Sequence, residues 1–131
     1  MVRTLPADVQ ALLRERIGSY EQLQILLQLF EDRRAWSAQA LAAHLRLSAA
    51  LISDALAALV ARGLVAAGCE LPEPDYRYAS GRHDAAVAGL AKAYQEQPLA
   101  VVRMLTELSI ERVRADALRA FADAFLFRRG K

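Results

Sequence analysis

The chain has a single cysteine, Cys69, so no intramolecular disulfide can form, and a lone thiol fits a reducing compartment such as the cytoplasm. It has no apolar run near the ~20 residues that cross a bilayer. The first residues, Met-Val-Arg-Thr-Leu-Pro, carry no apolar h-region, so neither a membrane segment nor a secretory leader is expected. Only two side chains, His44 and His83, are of the type that could serve as a base at neutral pH, and neither has a nucleophile or an orienting group beside it in sequence. C-x-x-C and H-x-x-x-H spacings are missing, as is a glycine-rich phosphate loop. Cys69, Glu70, His83 and Asp84 are therefore only a loose set of metal-ligand types. An enzyme is the class with least support, and no metal or cofactor is expected. No internal repeat or low-complexity tract occurs either.

What is present suits one folded unit. A chain of 131 residues can bury roughly two thirds of the surface it exposes when unfolded. Apolar residues make up 55%, too many for a largely disordered chain. The formal net charge of +2 gives only a weak general attraction for polyanions. The charge is also unevenly spread. From Trp36 to Gly81 the cations Arg46, Arg62 and Arg77 face four carboxylates, Asp54, Glu70, Glu73 and Asp75; the excess of cations lies beyond Arg82.

Helical periodicity dominates. Pro6 to Ile17 reads as a first helix, with proline in its first turn and Gly18-Ser19 as its break. Ser19-Tyr20-Glu21-Gln22 is a capping box. The helix it opens has Leu23, Leu26, Leu27 and Phe30 on one face and Ile25 and Leu29 on another, so it should be central and buried. Glu31 to Arg34 reads as its solvated end. Beyond the middle of the chain, Ala86, Val87, Leu90 and Tyr94 mark a helix that Pro98 ends. Leu99 to Leu108 marks the next helix, and Ser109 is a candidate cap for a last one carrying Ile110, Val113, Leu118, Phe121 and Phe125.

The most informative stretch lies between these. Ser37 can cap a short helix with Ala40, Leu41 and Leu45, and His44-Leu45-Arg46-Leu47 makes a turn. Ser48 can cap a second helix on which Ile52, Ala55, Leu56 and Leu59 share a face, and Gly63 suits a left-handed stop. Leu64 to Ala67 and Tyr76-Arg77-Tyr78 read as two strands around a Pro/Gly-rich loop. Two short helices, a tight turn and a hairpin form a helix-turn-helix followed by a wing.

In Leu41-Ala42-Ala43-His44-Leu45, Leu47-Ser48, Ile52, Leu56, Leu59 and Arg62-Gly63-Leu64-Val65, the chain resembles the winged helix-turn-helix of bacterial transcription regulators, the MarR-like group among them. The resemblance covers roughly residues 20 to 80. The expected fold is mainly α: a winged helix-turn-helix over 1–81 with a two-stranded β-hairpin wing, and a C-terminal α-helical extension over 82–131 packed into the same unit.

The resemblance implies that the Ser48-Arg62 helix enters the major groove of double-stranded DNA. Ser48, Ala49 and Ser53 would then face the duplex, with Arg46, Arg77 and Arg82 on phosphates. The residue types depart from the usual pattern, since no Arg, Lys, Asn or Gln occurs between Ser48 and Ala61 and Asp54 would repel phosphate. A second reading therefore stands beside the first, in which the alanine-rich face of Ala49, Ala50, Ser53 and Ala57 docks a protein partner. Regulators of this type commonly pair through terminal helices, which implies a homodimer through Leu118, Phe121 and Phe125; the competing reading folds that helix back onto its own chain. Glu111, Asp116 and Asp123 on its polar face argue against a membrane-surface role.

Overall fold

The computed structural model describes residues 5–68 and 74–129, with side chains as far as 124. Its helices are α1 (Ala7–Arg16), α2 (Tyr20–Glu31), α3 (Ala38–Leu45), α4 (Ala49–Ala61), α5 (Asp84–Glu96) and α6 (Pro98–Arg129). Its strands are β1 (Trp36–Ser37), β2 (Val65–Ala67) and β3 (Asp75–Tyr78). They form an antiparallel sheet in the order β1-β3-β2, with Trp36 opposite Tyr76 and Val65 opposite Tyr78. Architecture and order match the expected mainly α winged helix-turn-helix with its C-terminal helical extension.

Helix α2 is the centre because two of its faces are apolar. Leu23, Ile25, Leu26, Leu27 and Leu29 are all buried, and α3, α4, α5 and β3 pack around them. Its start is fixed by a reciprocal cap. Ser19 Oγ accepts from the Gln22 backbone N–H at 3.2 Å, and Gln22 Oε1 accepts from the Gly18 N–H at 2.7 Å, one residue further back than a standard capping box. Helix α1 packs on α5 so closely that a Cβ at Gly89 would lie 3.0 Å from Val9 Cγ2. The first half of α6 covers this pair with Val101, Leu105 and Leu108, and one continuous core runs from Leu5 to Leu108.

The structure departs from the sequence reading at four points. Residues 98–129 form one helix, not two: Ser109 lies inside α6, and no proline or glycine follows Pro98 to interrupt its backbone ladder before Gly130. The wing hairpin gains β1 as a third strand, a two-residue element too short to show alternation. Pro6 is the residue before α1 and not part of its first turn. Arg33 and Arg34 are not simply a solvated helix end: Arg33 lies over the rings of Phe30 and Tyr78, at 4.6 and 4.7 Å, and Arg34 lies 4.3 Å over Trp36.

The C-terminal end of α1 is held by arginines that arrive from far along the chain. Arg112, on α6, donates through Nη2 to the carbonyls of Leu13 (3.1 Å), Arg14 (2.8 Å) and Ile17 (3.2 Å), and through Nη1 to that of Gly18 (3.4 Å). Arg62, just past α4, donates to the Arg16 carbonyl at 2.9 Å, while Arg16 donates back to the Arg62 carbonyl at 3.2 Å. These carbonyls are the orphan acceptors of a helix end, where positive charge is also favoured by the helix dipole.

Two stability effects follow. Leu56→Ala, at a side chain only 1% exposed, is expected to cost about 2–5 kcal/mol in urea unfolding. Arg112→Met keeps much of the stem and removes the four donated bonds, with an expected cost of about 1–3 kcal/mol; Arg119→Met, on the exposed part of α6, should leave the transition where it is.

Candidate nucleic-acid interface

The turn from α3 to α4 sets up the site. Ser37 Oγ accepts from the Ala40 N–H at 3.0 Å and Ser48 Oγ from the Leu51 N–H at 3.2 Å, so both helices start on a serine cap. Between them Arg46 adopts a left-handed conformation (φ 58°), and the chain bends by 117° from α3 to α4. A side-chain-bearing residue in that region is strained by roughly 1–2 kcal/mol, so the neighbouring packing of Leu41 and Ile52 must hold the turn. The Arg46 side chain is left exposed at the corner.

Helix α4 has a buried and an exposed face, the exposed one also carrying Leu51 and Val60. Ile52, Ala55, Leu56 and Leu59 are buried, and Ala49, Ala50, Ser53, Asp54 and Ala57 are exposed. Gly63 takes φ +77°, and the Leu64 N–H then bonds to the Leu59 carbonyl at 3.0 Å, closing the helix. Leu64 in turn accepts from the Ala79 N–H at 3.1 Å, which ties the end of β3 to the end of α4. A groove of about 380 Å³ opens where α3, α4 and the wing meet, with Ala49 and Ser53 on one wall and Tyr76 on another.

Arg77 and Arg82 lie elsewhere on this side of the sequence. Arg77 is opposite Ala66 on the outward face of the sheet, and both are exposed. Arg82 is exposed in a turn pinned by Asp84, whose Oδ1 accepts from Tyr78 Oη at 2.6 Å and from the Gly81 N–H at 2.9 Å. Of the predicted contact residues Ala49 and Ser53 line the groove, whereas Arg46, Ser48, Arg77 and Arg82 do not. The tip of the wing, with Cys69 and Glu70, falls outside the described residues. Among the described residues no group of three or more His, Cys, Asp or Glu is placed to hold a metal ion.

The hydrogen bond from Tyr78 holds the Asp84 carboxyl below the usual carboxylate range, helped by the Gly81 N–H. Burial pushes the Tyr78 phenol up, and the Asp84 bond and charge push it further. Arg33 completes the joint by donating to Ser80 Oγ at 3.2 Å while it covers the Tyr78 ring. Sequence reading missed this role for Arg33; the signal available was Phe30 three residues before it, one helical turn away.

On α6, beyond Leu108, the described apolar residues are exposed. Val113, Leu118 and Phe121 are 68%, 69% and 71% exposed. The Phe125 side chain lies outside the described residues.

No family model matches the chain, and no curated protein does. Among solved structures it is similar to reduced HlyU from Vibrio cholerae, at 25% identity over 67% of this chain and 88% of that one, with a TM-score of 0.53. It is similar to the homodimeric winged helix-turn-helix DNA-binding domain of a possible ArsR-family transcriptional regulator from Mycobacterium bovis, at 25% identity over 76% of this chain and 94% of that one, TM-score 0.53. The adhesin competence repressor of Streptococcus pyogenes has the same fold at 16% identity, covering 90% of this chain and 87% of its own, TM-score 0.53. The fold is therefore that of winged helix-turn-helix transcription regulators. Among the described residues no single helix is long and apolar enough to cross a membrane.

The Tyr78–Asp84 joint has a definite pH response. With the folded pKa of Asp84 depressed, its stabilising contribution is present above the ordinary carboxylate range and is lost as pH falls through the folded value. With the pKa of Tyr78 raised, the phenol stays protonated through its ordinary range near 10, so mild alkali leaves the joint intact. Tyr78→Phe should move the Asp84 carboxyl titration upward toward its ordinary value, read by carbon-detected NMR; an unmoved titration would show that Tyr78 is not its main partner.

Proposed function

We propose that the protein is a DNA-binding transcription regulator of the MarR-like kind, acting as a homodimer. The observation that carries this reading is the two-faced α4: one side is sealed against α2, and the other stands exposed beside the wing, on a fold shared with known regulators. The α4 N-terminal half enters the major groove, and the small Ala49 allows close approach. Ser48 and Ser53 donate hydroxyl hydrogen bonds, and Arg46, Arg77 and Arg82 contact phosphates. In this reading residues 1–81 bind DNA and residues 82–131 pair two copies through Leu118, Phe121 and Phe125.

One observation favours a second reading. The outer face of α4 is alanine-rich and carries Asp54 but no cation, which suits a protein partner better than a polyanion. The two readings differ in their response to salt. Duplex from the chain's own upstream region, titrated at two salt concentrations, should bind less tightly at the higher one, and combining Arg46→Ala with Arg77→Ala should lower the salt slope by about two. A folded sample that binds no duplex at low salt would favour the protein-partner reading.

The pairing surface has its own test. Sedimentation should show a dimer that Leu118→Glu with Phe121→Glu converts to a folded monomer, since exposed apolar stripes of this kind need cover. A monomeric parent protein would overturn the homodimer.

A further inference from the structure

We infer that the groove between α3, α4 and the wing reads an A·T base pair, with Gln39 as its specificity-determining side chain. The inference rests on the duplex-binding reading above and gives it a target class.

The lining of the groove is the basis. Three methyl groups, from Ala38, Ala42 and Ala49, form its apolar wall, and the polar groups at its edge are Gln39, Ser53 and Tyr76. Gln39 is exposed, and its amide makes no hydrogen bond with any described residue. It sits in the first turn of α3, whose start is fixed by the Ser37 cap, so its backbone is held in place while its amide is unengaged. Among the described residues no arginine, lysine or asparagine lines the groove.

Base-pair chemistry then discriminates. A glutamine amide matches adenine, donating to N7 and accepting from the N6 amino group. Guanine replaces that amino donor with the O6 acceptor, so the glutamine carbonyl would face another acceptor. The thymine paired with adenine offers a C5 methyl on the same groove edge, and alanine methyl groups are its natural apolar contact. Cytosine has no such methyl. The guanine-reading cations are absent from the same wall. An amide and a set of methyls, side by side, are complementary to one A·T pair. They also explain how α4 can serve as a recognition helix without a long polar side chain of its own: the amide comes from its neighbour.

A randomised duplex library, selected with the full chain, tests this. The expected result is enrichment of A·T at one position in each half-site, lost in Gln39→Ala, an exposed substitution that should leave folding intact. In the selected duplex, replacing that thymine by uracil deletes only the methyl, and it should weaken binding by roughly five-fold or more. If the library shows sequence preference that Gln39→Ala retains, or weakens equally for every sequence, the inference fails while the duplex-binding reading stands. Unchanged affinity for the uracil duplex would likewise overturn the methyl contact. If no duplex is selected at all, the duplex-binding reading itself fails.

Discussion

The burial of one face of α4 against α2 is the constraint on which the rest depends. Ile52, Leu56 and Leu59 are each at most 1% exposed, and burying a side chain of this size is worth about 1.5–3 kcal/mol. Turning α4 by one residue about its axis would put Ser53, Ala57 and Val60 in their places and expose Ile52, Leu56 and Leu59 to water, so the helix has one favoured rotation. That rotation decides what faces outward: Ala49, Ser53 and Ala57, with Asp54 beside them. The stop at Gly63 transmits the same choice to the wing. Leu64 leaves the helix with its N–H bonded back to Leu59 and its carbonyl bonded forward to Ala79, so the sheet is hinged to the end of α4 and follows it.

Several of the seventeen cations are engaged within the fold. Arg62 and Arg112 are spent on carbonyls at the end of α1, and Arg33 is held between Phe30, Tyr78 and Ser80. An arginine that already donates to backbone and covers aromatic rings has less to offer a phosphate than one projecting into water. Arg46, Arg77 and Arg82 are exposed and have no such engagement among the described residues. The net charge of +2 therefore says little about binding; what matters is which cations the fold has left over and on which side they stand.

The parts of the chain legible in sequence were those written in local signals. The caps at Ser19, Ser37 and Ser48, the leucine spacing of α2 and α4, and the left-handed Gly63 are all contacts within a few residues, and each was found where expected. What was hidden is tertiary. Arg112 caps carbonyls 94 to 99 residues earlier, a pairing no periodicity announces. Strand β1 is two residues long and exists only because β3 lies beside it. The place of Gln39 on the groove is hidden for the same reason, since the groove is built from both motif helices and the wing and not from α4 alone. The split of α6 into two helices came from treating Ser109 as a cap, although serine is tolerated inside a helix and nothing near it breaks the backbone ladder.

The length of α6 bears on how so weakly charged a face could act. At about 1.5 Å per residue, its 32 residues span nearly 50 Å, well beyond the core, which ends at Leu108. If α4 is the recognition helix, its alanines and the amide of Gln39 would make few contacts per copy, so one copy alone would hold a duplex poorly. Two copies joined through the projecting half of α6 would add their contacts on a single duplex, the second binding at the high effective concentration set by the first. In the proposed duplex-bound dimer the sparse α4 face and the long exposed helix would be two sides of one requirement: the fewer contacts each α4 made, the more binding would depend on the helix that pairs the copies.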